Sequence, residues 1–172
     1  MPLELVTPPA VEPVTLDEAK LHLKVDTTDD DALITALIAA ARARAEWHTG
    51  RAFITQVWKL WLDAWPGAKA DSGLPPRLSA ATPCPIEIPL PPLQSVSSIT
   101  SYAMDDSATV MSSTLYQVDA ASAPARIALK IGVSPPVNLR SLNAIAIAFT
   151  TGYGADASDV PDAIRRAILM IV

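Results

Sequence analysis

A chain of 172 residues is long enough for one domain with a real core, or for a domain carrying a sizeable insertion. Its net charge of −5, with no Lys/Arg run longer than Arg165–Arg166, argues against sequence-specific nucleic-acid binding. A single cysteine, Cys84, excludes an internal disulfide and a cysteine-only metal site, and no apolar run approaches the roughly 20 residues that cross a bilayer.

Half of the residues are hydrophobic, 50%, and only 18% are charged, which leaves a lean surface. Apolar area covered by partner chains explains this as well as a merely alanine-rich composition does. The N-terminal MPLELVTPPAVEP has neither a basic start nor an apolar core, so it does not read as a signal peptide. The expectation is a soluble intracellular protein, or part of a particle assembled inside the cell.

Residues 1–14 carry Pro2, Pro8, Pro9 and Pro13 and should run extended. Thr15-Leu16-Asp17-Glu18 is a capping box, in which Thr15 caps the Glu18 amide and Glu18 reaches back to Thr15. A short helix over about Leu16–Val25 follows, with Leu16, Ala19 and Leu23 inward. Asp26-Thr27-Thr28 then turns into a second helix, so the two should form a tight hairpin.

That second helix, Asp29 to Gly50, organises the chain. Leu33, Ile34, Leu37, Ile38, Ala41 and Ala45 recur at helical spacing along one side. Asp29 to Asp31 supply an N-cap and negative charge where the helix dipole is positive, and Gly50 suits the left-handed residue beyond the C-terminus. Small alanines from Ala39 to Ala45 allow another helix to approach closely.

From Phe53 to Trp65 the period changes to two. Ile54, Trp58, Leu60 and Leu62 share one face, and Phe53, Val57 and Trp61 the other, as in a strand covered on both sides. Residues 66–85 form a Pro-, Gly-, Ala- and Ser-rich segment stiffened by Pro75, Pro76, Pro83 and Pro85. It is read as an arm toward a neighbour, with a surface loop the equal alternative.

The next stretch is rich in β-signals. Ile86, Ile88 and Leu90 alternate with Glu87 and Pro89, which suits an edge strand because proline cannot donate to a ladder. Val96–Tyr102 and Thr109–Met111 flank the turn Asp105-Asp106-Ser107. Leu115–Asp119, Arg126–Ile131 and Ala144–Thr151 are further strands, and Gly152-Tyr153-Gly154 is a turn. Val160-Pro161-Asp162 opens a last helix, with Ile164, Ile168, Leu169, Ile171 and Val172 as its apolar stripe. It shows no stop signal, so either the chain is cut short or its end is docked.

These elements predict an α+β fold: a bundle of two N-terminal helices plus a C-terminal helix, with an antiparallel β-sheet region inserted between them. The expected divisions are 1–52 (N-terminal arm and helical hairpin), 53–65 (long strand), 66–85 (Pro-rich arm), 86–154 (β-rich region) and 155–172 (C-terminal helix).

Chemistry finds little support. His22 and His48 are the only histidines, on separate predicted helices, and a metal site would have to gather both with carboxylates. Neither a Gly-x-Ser-x-Gly elbow nor a glycine-rich phosphate loop with lysine occurs. No cofactor and no enzyme activity are expected; a small hydrolase would have to work through His22 or His48. Trp47, Trp58, Trp61 and Trp65 are core by default, although Trp58 and Trp61 point to opposite faces of one strand.

An ordered set of phrases remains. Thr15-Leu16-Asp17-Glu18-Ala19-Lys20, Asp30-Asp31, Thr49-Gly50-Arg51, Leu90-Pro91-Pro92-Leu93-Gln94-Ser95-Val96, Tyr116-Gln117-Val118-Asp119, and Thr150-Thr151-Gly152-Tyr153-Gly154 before Val160-Pro161 follow one another. Together they resemble the head–tail connector (adaptor) proteins of tailed bacteriophages and gene transfer agents, over about residues 12–172. The resemblance implies a structural subunit of a homo-oligomeric ring, typically dodecameric, in the virion neck beneath the portal. Such a ring extends the DNA channel and docks the tail. Implied partners are sister copies, the portal protein and a downstream tail or stopper protein. DNA passes as non-specific cargo, and no membrane is involved. A tail-completion or minor capsid protein of the same virion is the alternative. Candidate residues at the subunit or portal interface are Arg42, Arg44, Trp58, Trp61, Pro75, Pro76, Arg165 and Arg166. For the arginines, helix-end complement and solvation is the competing reading.

Overall fold

The computed structural model describes residues 2–67 and 84–172. Strand β1 (Leu3–Thr7) precedes helices α1 (Leu16–Leu23) and α2 (Asp31–Thr49). Strands β2 (Gln56–Leu62), β3 (Ile86–Ile88), β4 (Leu93–Tyr102), β5 (Ala108–Val110), β6 (Tyr116–Asp119), β7 (Ala125–Leu129) and β8 (Ile145–Thr151) come next, and helix α3 (Asp162–Ile171) closes the order. The fold is α+β, as expected, with antiparallel strand pairs.

One sheet runs β1-β2-β8-β4-β5 and the other β3-β7-β6. The β region is therefore not wholly inserted between helices. β1 comes before α1 and pairs with β2, setting Leu3 opposite Leu60 and Leu5 opposite Trp58. Its prolines made this segment read as merely extended; a long-range partner makes it a strand.

Between the sheets lies a core of Leu60, Leu62, Trp65, Ile86, Ile88, Ile99, Ile127, Ile145, Ile147 and Phe149. Strand β8 sits between β2 and β4, so both of its backbone edges are hydrogen-bonded, and Ile145, Ile147 and Phe149 point into this core. A second core joins the helices: Ala19, Ile34, Ile38, Ala41, Phe53, Ile54, Val160 and Ile168 are buried together. Strand β3 lies at a sheet edge, and Asp105–Ser107 turns β4 into β5, both as expected.

Local signals operate as written. The Thr15 amide donates to Glu18 Oε2 at 2.9 Å, and the Glu18 amide to Thr15 Oγ1 at 3.2 Å. Gly50 ends α2 at φ 63°. Asp30 stands at the N-cap of α2 without a side-chain cap bond, because its backbone is not in the extended conformation that aims the carboxylate at the first amides.

Several residues expected inside are not. Leu33 and Leu37 are exposed, since α1 and α3 cover only the Ile34–Ile38–Ala41 side of α2, and Leu23, the last residue of α1, is exposed as well. Of the tryptophans only Trp65 is core; Trp58 and Trp61 are half-buried and Trp47 is 74% exposed. The strand predicted from Phe53 is regular from Gln56, with Ile54 in an isolated bridge to Gly154.

Candidate subunit interface

The C-terminal half of α2 meets the start of β2 in a polar seam. Arg42 and Glu46 are one helical turn apart, so their side chains share a face, with Nη1 2.6 Å from Oε2. Arg42 Nε also donates to Glu12 Oε2 at 2.7 Å, tying the N-terminal segment to the helix. Glu46 Oε1 accepts from the Phe53 amide at 2.9 Å and from Gln56 Nε2 at 2.6 Å. Gln56 Oε1 in turn accepts from Trp58 Nε1 at 3.1 Å. Gln56 is only 3% exposed, so each link satisfies a polar atom that burial would otherwise penalise. Burial works against the Arg42 charge, but the Glu12 and Glu46 carboxylates outweigh it and hold the guanidinium above its usual range.

Over this seam opens a groove of about 360 Å³, whose apolar lining includes Leu5, Pro8, Pro9, Trp47, Trp58 and Leu90. Arg44 lies over the exposed Trp47 ring, its Cζ 5.1 Å from the centroid. Arg51, also on the groove, donates through Nη1 to the Tyr153 hydroxyl at 3.2 Å.

Trp61 stands apart from this groove. Its Nε1 donates to Glu4 Oε2 at 2.9 Å, Lys59 Nζ lies 5.3 Å from its ring centre, and the Tyr102 ring is 5.9 Å away. Arg165 is elsewhere again, as an internal clamp. It donates through Nε to the Pro13 carbonyl at 3.0 Å and pairs with Glu18 and Asp162. The Glu18 carboxyl is held below its usual range by the Thr15 amide first, with Arg165 assisting against partial burial. Arg166 is exposed.

The structure thus brings Arg42 and Trp58 to one seam, leaves Arg44 outside it against the Trp47 ring, and places Trp61, Arg165 and Arg166 on other faces. Pro75 and Pro76 lie outside the described residues, as does most of the expected 66–85 arm. Sequence alone passes over Glu12, Glu46 and Gln56, and places Trp47 in the core. The Arg42–Glu46 spacing was the one available signal for Glu46. Nothing local marks Glu12 or Gln56, whose partners lie on other elements. Among the described residues no group of three or more His, Cys, Asp or Glu side chains could hold a metal ion, and no helix is long and apolar enough to cross a membrane.

Two cores, a satisfied internal charge seam and an apolar groove beside the exposed Trp47 make contact surfaces the most developed feature of the described residues. The chain belongs to the phage gp6-like head-tail connector family, whose profile matches residues 13–123. That family is one of structural head-tail connector proteins. In solved structures it is similar to a chain in the virion of a native gene transfer agent (GTA) particle, at 22% identity and TM-score 0.74, covering 99% of this chain and 81% of that one. A chain in the neck of an empty GTA particle computed with C6 symmetry is 24% identical, with TM-score 0.76 and 99% and 81% coverage. A third, in the neck of a native GTA particle computed with C12 symmetry, is 25% identical, with TM-score 0.68 and 99% and 80% coverage. No curated protein sequence matches at a significant level.

Proposed function

We propose that this chain forms a closed ring in the neck of a tailed virion or gene transfer agent, between the portal and the tail. The ring continues the DNA channel and offers the tail its docking surface. The observation that carries the reading is the family match over residues 13–123, supported by fold similarity to chains of GTA necks. A dodecameric ring is the form we propose, supported by the C12 symmetry with which one such neck was computed; the other was computed with C6. A ring needs two different faces on each subunit, one for each neighbour. Exposed Leu33 and Leu37 on α2, and the groove beside Trp47, are apolar surfaces of the kind such contacts cover.

On this reading the working partners are sister copies, the portal protein and a tail or stopper protein. DNA passes through without being held, consistent with a net charge of −5. The role is mechanical and not enzymatic. Arg44 and Arg166, both exposed, are the candidate arginines for contacts to acidic residues of neighbours, whereas Arg42 and Arg165 serve the fold.

Deleting the coding sequence tests the proposal. Electron microscopy should then show filled or empty heads without attached tails, and complementation should restore them. Intact tailed particles lacking this chain would defeat it.

A further inference from the structure

We infer that the groove over the Arg42–Glu46–Gln56 seam receives the tip of the β4–β5 hairpin, Met104-Asp105-Asp106, from an adjacent copy; this rests on the ring proposed above. The groove, of about 360 Å³, is walled by Trp47, Trp58, Pro8 and Pro9. Met104 is 75% exposed at the turn, an apolar side chain that its own chain leaves uncovered. An unbranched thioether adapts to an irregular apolar slot and makes favourable contacts with indole rings.

Charge fits the same pairing. Arg42 is engaged by Glu12 and Glu46, whereas Arg44 on the Trp47 ring and Arg51 on the groove wall form no ion pair among the described residues. Arg51 uses one guanidinium N–H on Tyr153 and keeps other donors. On the hairpin, Asp105 spends Oδ1 on the Ser107 amide and hydroxyl, at 3.0 and 2.6 Å, and keeps Oδ2. Asp106 lies 3.1 Å from Arg140 Nη1, yet its side chain is 74% exposed and presents its charge outward. A methionine followed by two carboxylates complements an indole groove rimmed by arginines, and such complementarity fixes which surfaces meet.

The fold keeps the hairpin from its own groove. Trp58 pairs with Phe149, which pairs with Val96, so the groove lies level with the early part of β4. Met104 lies past the other end of β4, about 25 Å further along the strands and about 10 Å across them. Its position is fixed: the Met104 amide donates to the Asn138 carbonyl at 3.2 Å, and the Ala103 amide to the Ser107 carbonyl at 3.0 Å. The groove takes Leu5 from β1 and Trp58 from β2, whereas the hairpin closes the β5 end of the strand order. Tip and groove therefore sit at opposite ends of one sheet, as the two unlike faces of a head-to-tail ring contact must.

The test uses complete chains assembled into particles. Ala43→Cys, exposed on the groove, and Met104→Cys are combined in a Cys84→Ser background, and isolated necks are oxidised and run on a non-reducing gel. The expected result is a ladder of covalent multimers that a thiol collapses to monomer, while either cysteine alone gives only monomer. Absence of a ladder would mean that another guest fills the groove, and a bond within single chains that the hairpin is not held away from it; either overturns the inference. Where these chains form no necks, charge reversal takes their place. Arg44→Glu should lower the yield of necks about tenfold, and Asp105→Arg in the same chain should restore it. The two positions lie too far apart in one chain to meet, so rescue acts between copies, and its failure overturns the contact. Electron microscopy of unsubstituted particles reads the ring itself: its absence overturns the ring, and a ring without ladder or rescue overturns only the contact.

Discussion

Glu46 on α2 accepts a hydrogen bond from Gln56 on β2, Oε1 to Nε2 at 2.6 Å, and through it the helical core is fastened to the sheet. The same oxygen takes the Phe53 amide, and the other oxygen takes Arg42. One carboxylate thus holds a helix, the following turn and a strand in register.

Removing that carboxylate leaves a half-buried guanidinium and a buried amide without partners. Glu46→Ala is expected to cost about 3 kcal/mol, read as a lower urea midpoint at unchanged slope. Arg42→Ala should be similarly harmful, and the double variant should cost clearly less than the sum, because both substitutions break one network. Strict additivity would show that the seam is not a unit.

Gly152 has no room for a side chain. Its φ is 122°, and a Cβ would lie 2.5 Å from the Ile54 carbonyl oxygen, against backbone that cannot move aside. Gly152→Ala is therefore expected to destabilise by about 3 kcal/mol or more, a loss of about 6–12 °C or more in melting temperature for the expressed chain. Gly50→Ala meets open space and carries only the left-handed backbone cost, about 1 kcal/mol.

The two adjacent arginines of α3 should behave differently. Arg165→Ala removes bonds to Pro13, Glu18 and Asp162, so a loss of about 1–2 kcal/mol and faster amide exchange along Asp162–Ile171 are expected. Arg166→Ala, at an exposed site, should change stability by less than about 0.5 kcal/mol. Equal effects would refute the clamp.

Asp119 provides a titration. Hydrogen bonds from Arg126, then Ser122, lower its carboxyl from the ordinary 3.8 to about 2. A folded value below the unfolded one means the ionised group stabilises above about pH 4, and that the contribution is lost as the pH falls toward 2. Carboxyl chemical shifts should show Asp119 still ionised at pH 3, and Arg126→Ala should return its midpoint toward 3.8.

Much of this architecture is written locally. The Thr15–Glu18 box, the left-handed Gly50 and the Asp105–Ser107 turn each depend on neighbours a few residues away, so capping and turn chemistry are sufficient to read them. The α+β class and the family resemblance rest on that ordered set.

Tertiary structure decided which apolar faces are covered and which charges are already taken. Periodicity put Leu33 and Ile34 on one side of α2, but only the placement of α1 and α3 leaves Leu33 outside and Ile34 within. Composition made Trp47 a core residue and Arg42 a candidate for a partner; the fold exposes the first and neutralises the second between Glu12 and Glu46. A side chain's face follows from backbone geometry within one element, whereas what meets that face depends on elements distant in the chain.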